Sequence, residues 1–326
     1  MRRIARVAAG LMTASAVTTL LFAQTLTFSL VGRIHGPANL IELDGGRAYI
    51  VGGKTLTLVE VSNPATPARL SSYRFPEKIW GIRIVGSTVY VAADLFGLGI
   101  LDVSNPASPV LRGSLKLPGQ AKNVALVGNT ALVADHMSGL DIVDVGDAAK
   151  PVNRGSFFLD GYARDVVSTG SMAYAIDAPE GLYIFDLSRP GPVEPIASQQ
   201  SARAPASIEL AQGSSGRGAN LAVLVGGGLL QVYDITTPSA PVKVATFKTP
   251  SGRPARATLH GTRAYVADFR EGLQVVDLST PSAPALLGGF KTPTPARDVA
   301  VSDSFAFVAV GTAEEEGEVL ILKQRP

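Results

Sequence analysis

Charged and aromatic residues recur at fixed places along the chain, and their types could bind a small polar ligand. One set of acids ends short apolar runs, and one set of basic residues begins others. The acidic set is Asp94, Asp135, Asp177 and Asp268. The basic set is Lys122, Arg164 and Arg297, and its two arginines directly precede Asp165 and Asp298. Trp80 occupies the position in its repeat that corresponds to these basic residues. A mixed ring of opposite charges suits a carboxylate or a sugar.

A repeat positions these residues. Each copy contains an apolar run, a turn with glycine, a second run of the form GLxIxDV, a Ser-Asn-Pro-x-x-Pro connection and a third run, and another short apolar run precedes them. This pattern indicates four β-strands. The acids that close the GLxIxDV runs are Glu60, Asp102, Asp144, Asp186, Asp234 and Asp277, at spacings of 42, 42, 42, 48 and 43 residues. Such a period predicts propeller blades.

The strand count predicts how the ring closes. Six units are complete, and a seventh, which begins at Asp298, has only three strands. Residues 25–32 (TLTFSLVG) resemble the last strand of the other units and can supply the fourth. We therefore expect an all-β fold, a seven-bladed β-propeller of four-stranded blades of about 42 residues, closed by pairing of the N-terminal strand with the C-terminal blade.

Strand direction places the candidate residues on one face. The first and second strands of a blade are antiparallel, so the start of the first and the end of the second meet at the same end. The acids, the basic residues and Trp80 are therefore expected around the mouth of the central channel. Arg–Asp pairs that only tie blades together, and packing of Trp80, remain the alternative. The acids that close the GLxIxDV runs are expected to fix turns by accepting backbone N–H groups.

The repeated segments GLDIVDVGD, GLGILDVSNPASP and GLQVVDLSTPSAP resemble the LVIVD repeat family. The resemblance extends over roughly residues 38–323. It implies a β-propeller in an exported or surface protein, and it implies no single activity.

The N-terminus has the order of a secretory signal. The basic MRRIAR is followed by the apolar VAAGLMTASAVTTLLFA and then Gln24. This order predicts a signal peptide over residues 1–23, a single propeller domain over residues 24–326, and a periplasmic, cell-surface or secreted location. Because Leu21 is larger than the residue usually preferred near a cleavage site, an uncleaved anchor remains the alternative.

Composition excludes several kinds of site. Three arginines leave with the signal, so a chain of formal charge +2 becomes nearly neutral. Without a Lys/Arg run, nucleic acid and anionic membranes are not expected partners. The absence of cysteine removes disulfides, thiol nucleophiles and thiolate metal sites. His35, His136 and His260 lack zinc-like spacing, and no phosphate loop or GxSxG motif occurs, so we expect neither metal nor cofactor.

Two functions fit this pattern. The first is a non-catalytic, monomeric, exported propeller, not inserted in the membrane once the signal is removed, which binds an unknown protein or a small polar ligand through one face. The second is an envelope enzyme, a hydrolase or a cofactor-dependent oxidoreductase, that uses the Asp/Arg ring at the channel mouth.

Overall fold

Twenty-eight strands form seven four-stranded antiparallel sheets in the structure, a computed structural model. It describes residues 26–178, 180–188, 193–201, 203–211, 221–312 and 316–325. The predicted signal peptide, residues 1–23, lies outside this part of the chain. No helix in the described ranges is long and apolar enough to cross a bilayer. The predicted seven-bladed β-propeller is confirmed.

The blades follow one another along the chain, each running from an innermost to an outermost strand. Blade 1 contains β2 (Leu40–Asp44), β3 (Arg47–Gly52), β4 (Thr55–Glu60) and β5 (Ala68–Arg74). Blade 2 contains β6 (Gly81–Val85), β7 (Thr88–Ala93), β8 (Gly97–Asp102) and β9 (Val110–Leu115). Blade 3 contains β10 (Asn123–Val127), β11 (Thr130–Ala134), β12 (Leu140–Asp144) and β13 (Val152–Phe157). Blade 4 contains β14 (Tyr162–Thr169), β15 (Met172–Ala178), β16 (Gly181–Asp186) and β17 (Pro195–Gln200).

The remaining blades repeat this order. Blade 5 contains β18 (Ser207–Ala211), β19 (Leu221–Gly226), β20 (Leu229–Asp234) and β21 (Val242–Lys248). Blade 6 contains β22 (Arg256–His260), β23 (Arg263–Ala267), β24 (Leu273–Asp277) and β25 (Ala285–Phe290). Blade 7 contains β26 (Ala296–Ser302), β27 (Phe305–Val310) and β28 (Glu318–Gln324), with β1 (Phe28–His35) as its outermost strand.

The hydrophobic core lies between the blades. Each of seven buried clusters combines apolar side chains from two adjacent blades. In the cluster between blades 1 and 2, for example, Leu56 and Leu58 pack in one group with Val89 and Val91. The middle strands are apolar at nearly every position because both of their faces are covered, as the sequence pattern predicted.

The N-terminal strand closes the ring. β1 pairs antiparallel with β28, with Phe28 opposite Gln324 and His35 opposite Glu318. The pairing shifts register between Leu30 and Gly32, and the outermost pair of each other blade carries the same irregularity. β1 is therefore an outermost strand like the other six, although it runs from residue 28 to 35 and not over the expected 25–32.

The acids that close each third strand hold the following turn. Asp102 accepts the backbone N–H of Ser104 at 2.8 Å, and Asp234 accepts that of Thr236 at 2.9 Å. The same bond forms in five blades and, with glutamate, in blade 1; its remaining members are Asp144 with Gly146, Asp186 with Ser188, Asp277 with Ser279 and Glu60 with Ser62. The turn-fixing role predicted for this acidic set is confirmed.

Candidate ligand-binding site at the channel mouth

One end of the central channel opens into a cavity of about 480 Å³. Each innermost strand contributes one residue to its rim. In five blades this residue comes just before the strand, and in blades 4 and 7 it lies in a bulge near the start of the strand. These seven equivalent residues are Asn39, Trp80, Lys122, Arg164, Ala206, Ala255 and Arg297, and all of them line the cavity. The structure therefore brings the four basic or aromatic residues singled out from the sequence into one site.

The cavity is strongly basic. Lys78 and Arg256 join the three basic residues of the rim, and no acidic side chain in the described chain lines the space. Burial lowers the pKa of Lys122, and the nearby charges of Lys78 and Arg164 lower it further, whereas Asp94 opposes the change. Crowded cations of this kind have an unfavourable mutual repulsion that an anion entering the cavity would relieve.

Trp80 forms one wall with the help of a carboxylate. Its indole N–H donates to Asp94 Oδ2 at 2.8 Å. The Nζ atoms of Lys78 and Lys122 lie 3.3 and 4.3 Å from the ring centroid. The cations therefore lie against the electron-rich face of the indole, which stabilises their clustering beside the cavity.

The two rim arginines differ in their availability to a ligand. The guanidinium of Arg297 donates to the carbonyl oxygens of Gly311 at 3.0 Å and Thr312 at 2.8 Å, so it braces a loop of blade 7. Arg164 is exposed to the cavity and makes no hydrogen bond or ion pair with other described residues. Arg164 is therefore a donor that can turn toward an anion without breaking a hydrogen bond or ion pair to the described part of the chain.

The acids at the ends of second strands lie behind the cavity wall. Asp135, Asp177 and Asp268 are fully buried and do not line the cavity. Each accepts a backbone N–H from the loop that enters its own blade; the donors are Gly119 at 2.6 Å, Gly161 at 2.7 Å and Ser251 at 2.8 Å. The sequence placed these acids at the correct end of the ring, but their contacts give them a loop-holding role.

Asp94 belongs to a different register from the other three. Ala93 of β7, not Asp94, occupies the strand position held by Asp177 in β15, because Ala93 pairs with Gly97 as Asp177 pairs with Gly181. Asp94 instead corresponds to His136 and Phe269, and these three residues share a positive φ of 40° to 50°. The one-residue difference turns Asp94 toward Trp80 instead of into the loop.

Asp135 has an acidic neighbour. Asp141 lies near it, and Oδ1 of Asp135 and Oδ2 of Asp141 are buried without a hydrogen-bond partner among the described residues. Burial and this neighbour raise the pKa of Asp135 to about 7. Burial and a nearby carboxyl both disfavour the charged form of an acid, so the protonated form of Asp135 is favoured.

Asp165 and Asp298 lie deeper than the mouth and connect blades. Asp165 accepts the N–H of Ile208 at 3.1 Å, and Asp298 accepts the N–H of Ile41 at 2.9 Å; in each case the donor belongs to the next blade around the ring. Nη1 of Arg256 lies 3.9 Å from Oδ2 of Asp165, so the guanidinium supplies a positive charge beside this carboxylate. These two acids fit the alternative in which charged groups tie the ring together.

Below the mouth the channel narrows to a cavity of about 210 Å³. Asp165 and Asp298, both singled out from the sequence, line it together with charged residues that the sequence analysis missed. Glu42, Arg83 and Glu209 face it from the third position of their innermost strands. Enclosure by the channel wall raises the pKa of Glu42 to about 7 and that of Glu209 to about 8. The alternation of side chains along a strand, counted from the aligned strand starts, is the signal that could have found them.

The histidines are separated. His136 lines the mouth cavity, and its pKa is lowered by burial and by Lys122 and Arg164. His35 is at the end of β1, and His260 is at the end of β22. Within the described residues, no three His, Cys, Asp or Glu side chains are grouped so as to hold a metal ion.

Comparison with protein-family models matches the LVIVD repeat over residues 35–74, 78–116, 118–158, 160–194, 256–292 and 294–314. These segments cover well over half of the chain. The chain belongs to the LVIVD repeat family. Blade 5 is outside the matched segments, yet its four strands have the same order as those of the other LVIVD blades.

A solved structure supports the fold alone. The chain is similar to the β-propeller domain of Cps50 (Swd1) from Myceliophteria thermophila, with a TM-score of 0.72 and 13% sequence identity. The alignment covers 91% of this chain and 99% of that domain. A search of curated protein sequences found no match.

Proposed function

We propose that this LVIVD repeat protein is a non-catalytic binding module that holds an anionic group, a carboxylate or a phosphate, in the mouth cavity. The observation that carries the proposal is the composition of the lining: five basic side chains, Trp80, and no acid among the described residues. Exposed Arg164 can donate two parallel hydrogen bonds to a carboxylate or phosphate, and Lys122 can add a third.

The same geometry favours binding over catalysis. The enzyme alternative requires mouth acids that reach a substrate, as general acid, general base or metal ligand. Asp135, Asp177 and Asp268 are instead occupied with loop N–H groups, and Asp94 with the indole of Trp80. The charged side chains that line the cavity in the described chain are all cations, which orient an anion and stabilise its charge; the imidazole of His136 lies beside them.

Calorimetric titration with citrate and with inorganic pyrophosphate tests the proposal. We expect at least one to bind, with an affinity that falls as salt is added. Arg164→Ala should weaken binding by about tenfold, or about 1.4 kcal/mol, and leave stability unchanged because Arg164 has no partner within the described protein. Lys150→Ala is the matched control, since Lys150 is exposed in the turn before β13, at the opposite end of the ring.

Two results would overturn the proposal: no binding of either anion, or equal binding by the protein and Arg164→Ala. If Arg164 and Arg297 formed the Arg–Asp pairs considered in the sequence analysis, removing both would leave carboxylates unpaired. The contacts change that expectation, because Arg297 donates to carbonyl oxygens and its loss would instead loosen the loop at Gly311. Arg164→Ala alone is therefore the cleaner test.

We also propose that the protein works outside the cytoplasm, on the basis of the signal-like order of its first 23 residues. Intact-mass measurement on protein recovered from the envelope or the medium should give the mass of the chain without residues 1–23. A mass that includes Met1 would favour the anchored form.

A further inference from the structure

The exposed aromatic and methionine side chains of the described part of the chain lie on the mouth face, together with Leu95. Phe158 is 74% exposed, Met137 71%, Leu95 57% and Tyr162 45%. Leu95 and Met137 occupy turns after second strands, Phe158 follows β13 in the connection between blades, and Tyr162 begins β14. All of these positions lie at the mouth end. We call Met137, Phe158 and Tyr162, together with Leu95 at the same end of blade 2, the apolar ledge.

The ledge is continuous with the basic cavity. The ring of His136, which lines the cavity, stacks on Tyr162 with centroids 4.8 Å apart and planes inclined by 18°. Phe158 lies beside the turn that contains Met137. Gly139 ends this turn, and a Cβ added to Gly139 would lie only 2.9 Å from the Cα of Phe158. One molecule can therefore contact the cavity and the ledge together.

Exposed apolar residues elsewhere on the described surface are smaller or isolated. Val85 ends β6 at the opposite end of the ring, and Leu30 and Leu286 lie within outermost strands. The remaining three begin outermost strands; these are Val110, Val152 and Val242. Scattered single residues of this kind are ordinary for a soluble surface. A phenylalanine, a tyrosine and a methionine in adjoining turns are the composition expected of an interaction surface.

We propose that the ledge and the cavity together bind an acidic, apolar peptide segment of a partner protein. A carboxylate of the segment enters the basic cavity, and its neighbouring apolar side chains lie on Met137, Phe158 and Tyr162. The choice of occupant follows from charge complementarity, because the cavity beside the ledge contains five cations and no described acid. This inference rests on the proposed anion-binding function and adds the class of ligand.

Selection of displayed random peptides on the purified protein tests it. We expect the selected peptides to combine aspartate or glutamate with aromatic or large aliphatic residues at a constant spacing. A synthetic peptide of the selected sequence should bind Phe158→Ser and Met137→Ser at least tenfold more weakly than the unaltered protein. Both variants should keep their affinity for citrate or pyrophosphate, whichever the protein binds. Val242→Ser, a change at a distant exposed site, should alter the affinity for neither ligand.

The outcomes separate this inference from the proposed function. If Arg164→Ala abolishes anion binding but no acidic, apolar peptide is selected, the anion site stands and the peptide inference fails. The inference would also be overturned if the selected peptides bound Phe158→Ser as tightly as the unaltered protein. Self-association that Phe158→Ser abolishes in sedimentation experiments would assign the ledge to a second copy of the chain. Binding to phosphatidylglycerol vesicles that the same change abolishes would assign it to a membrane. Circular dichroism of each variant checks that the fold is retained.

Discussion

The closing strand offers a stability prediction whose size follows from one side chain. Phe28 of β1 is only 8% exposed and packs in the cluster between blades 6 and 7, with Tyr265, Leu273 and Leu322. Phe28→Ala removes this burial, and truncating a buried phenylalanine costs about 3 kcal/mol at the lower end of the usual range. With an unfolding entropy of about 2 cal/mol/K per residue over roughly 300 residues, this lowers the melting temperature by about 5 °C.

Leu30→Ala is the matched control on the same strand, because Leu30 is 38% exposed against 8% for Phe28, and its truncation should cost clearly less than that of Phe28. Deletion of residues 24–32 should lower the melting temperature by more than Phe28→Ala does, since it also removes the first half of β1. It should also promote association, because β28 then has unpaired N–H and C=O groups along its edge. Thermal unfolding followed by circular dichroism, with light scattering, measures both. Unchanged melting of Phe28→Ala, or equal losses in Phe28→Ala and Leu30→Ala, would refute closure through β1.

Two further predictions concern pH. The pKa of Asp135 is raised to about 7 in the folded protein, so its contribution to stability is present below about pH 4 and is lost as the pH rises to about 7. Asp135→Asn should remove this part of the decline in the free energy of unfolding. Denaturant unfolding at about pH 4 and at about pH 7 measures the change. The pKa of Asp102 is lowered to about 2 by hydrogen bonds from Ser104 and Arg112, so its contribution is present above the ordinary aspartate pKa and is lost as the pH falls from about 4 to about 2. NMR titration should find that Arg112→Ala raises this pKa, and an unchanged value would contradict the assignment.

Local and periodic information was enough for the architecture. The 42-residue spacing of the closing acids depends on each blade having the same strands and turns, so it gives the number of blades. The turn-fixing role of Asp102 and its equivalents was also readable, since the donor lies only two residues away. The basic rim could be read because Lys122, Arg164 and Arg297 keep a constant place relative to a repeated strand.

The sequence by itself determined which residues reach the mouth end of the ring, because strand direction alone decides that. Only the tertiary structure decided which of them face the cavity. Asp135 and Asp94 lie near the ends of equivalent strands, but their positions differ by one residue. The side chain of Asp135 therefore points at the loop that contains Gly119, and the side chain of Asp94 points at Trp80. Glu42 and Glu209 are far apart in the sequence, and it is closure of the ring that encloses both in one narrow channel. Side-chain direction and burial depend on register and on neighbouring blades, which no single repeat contains.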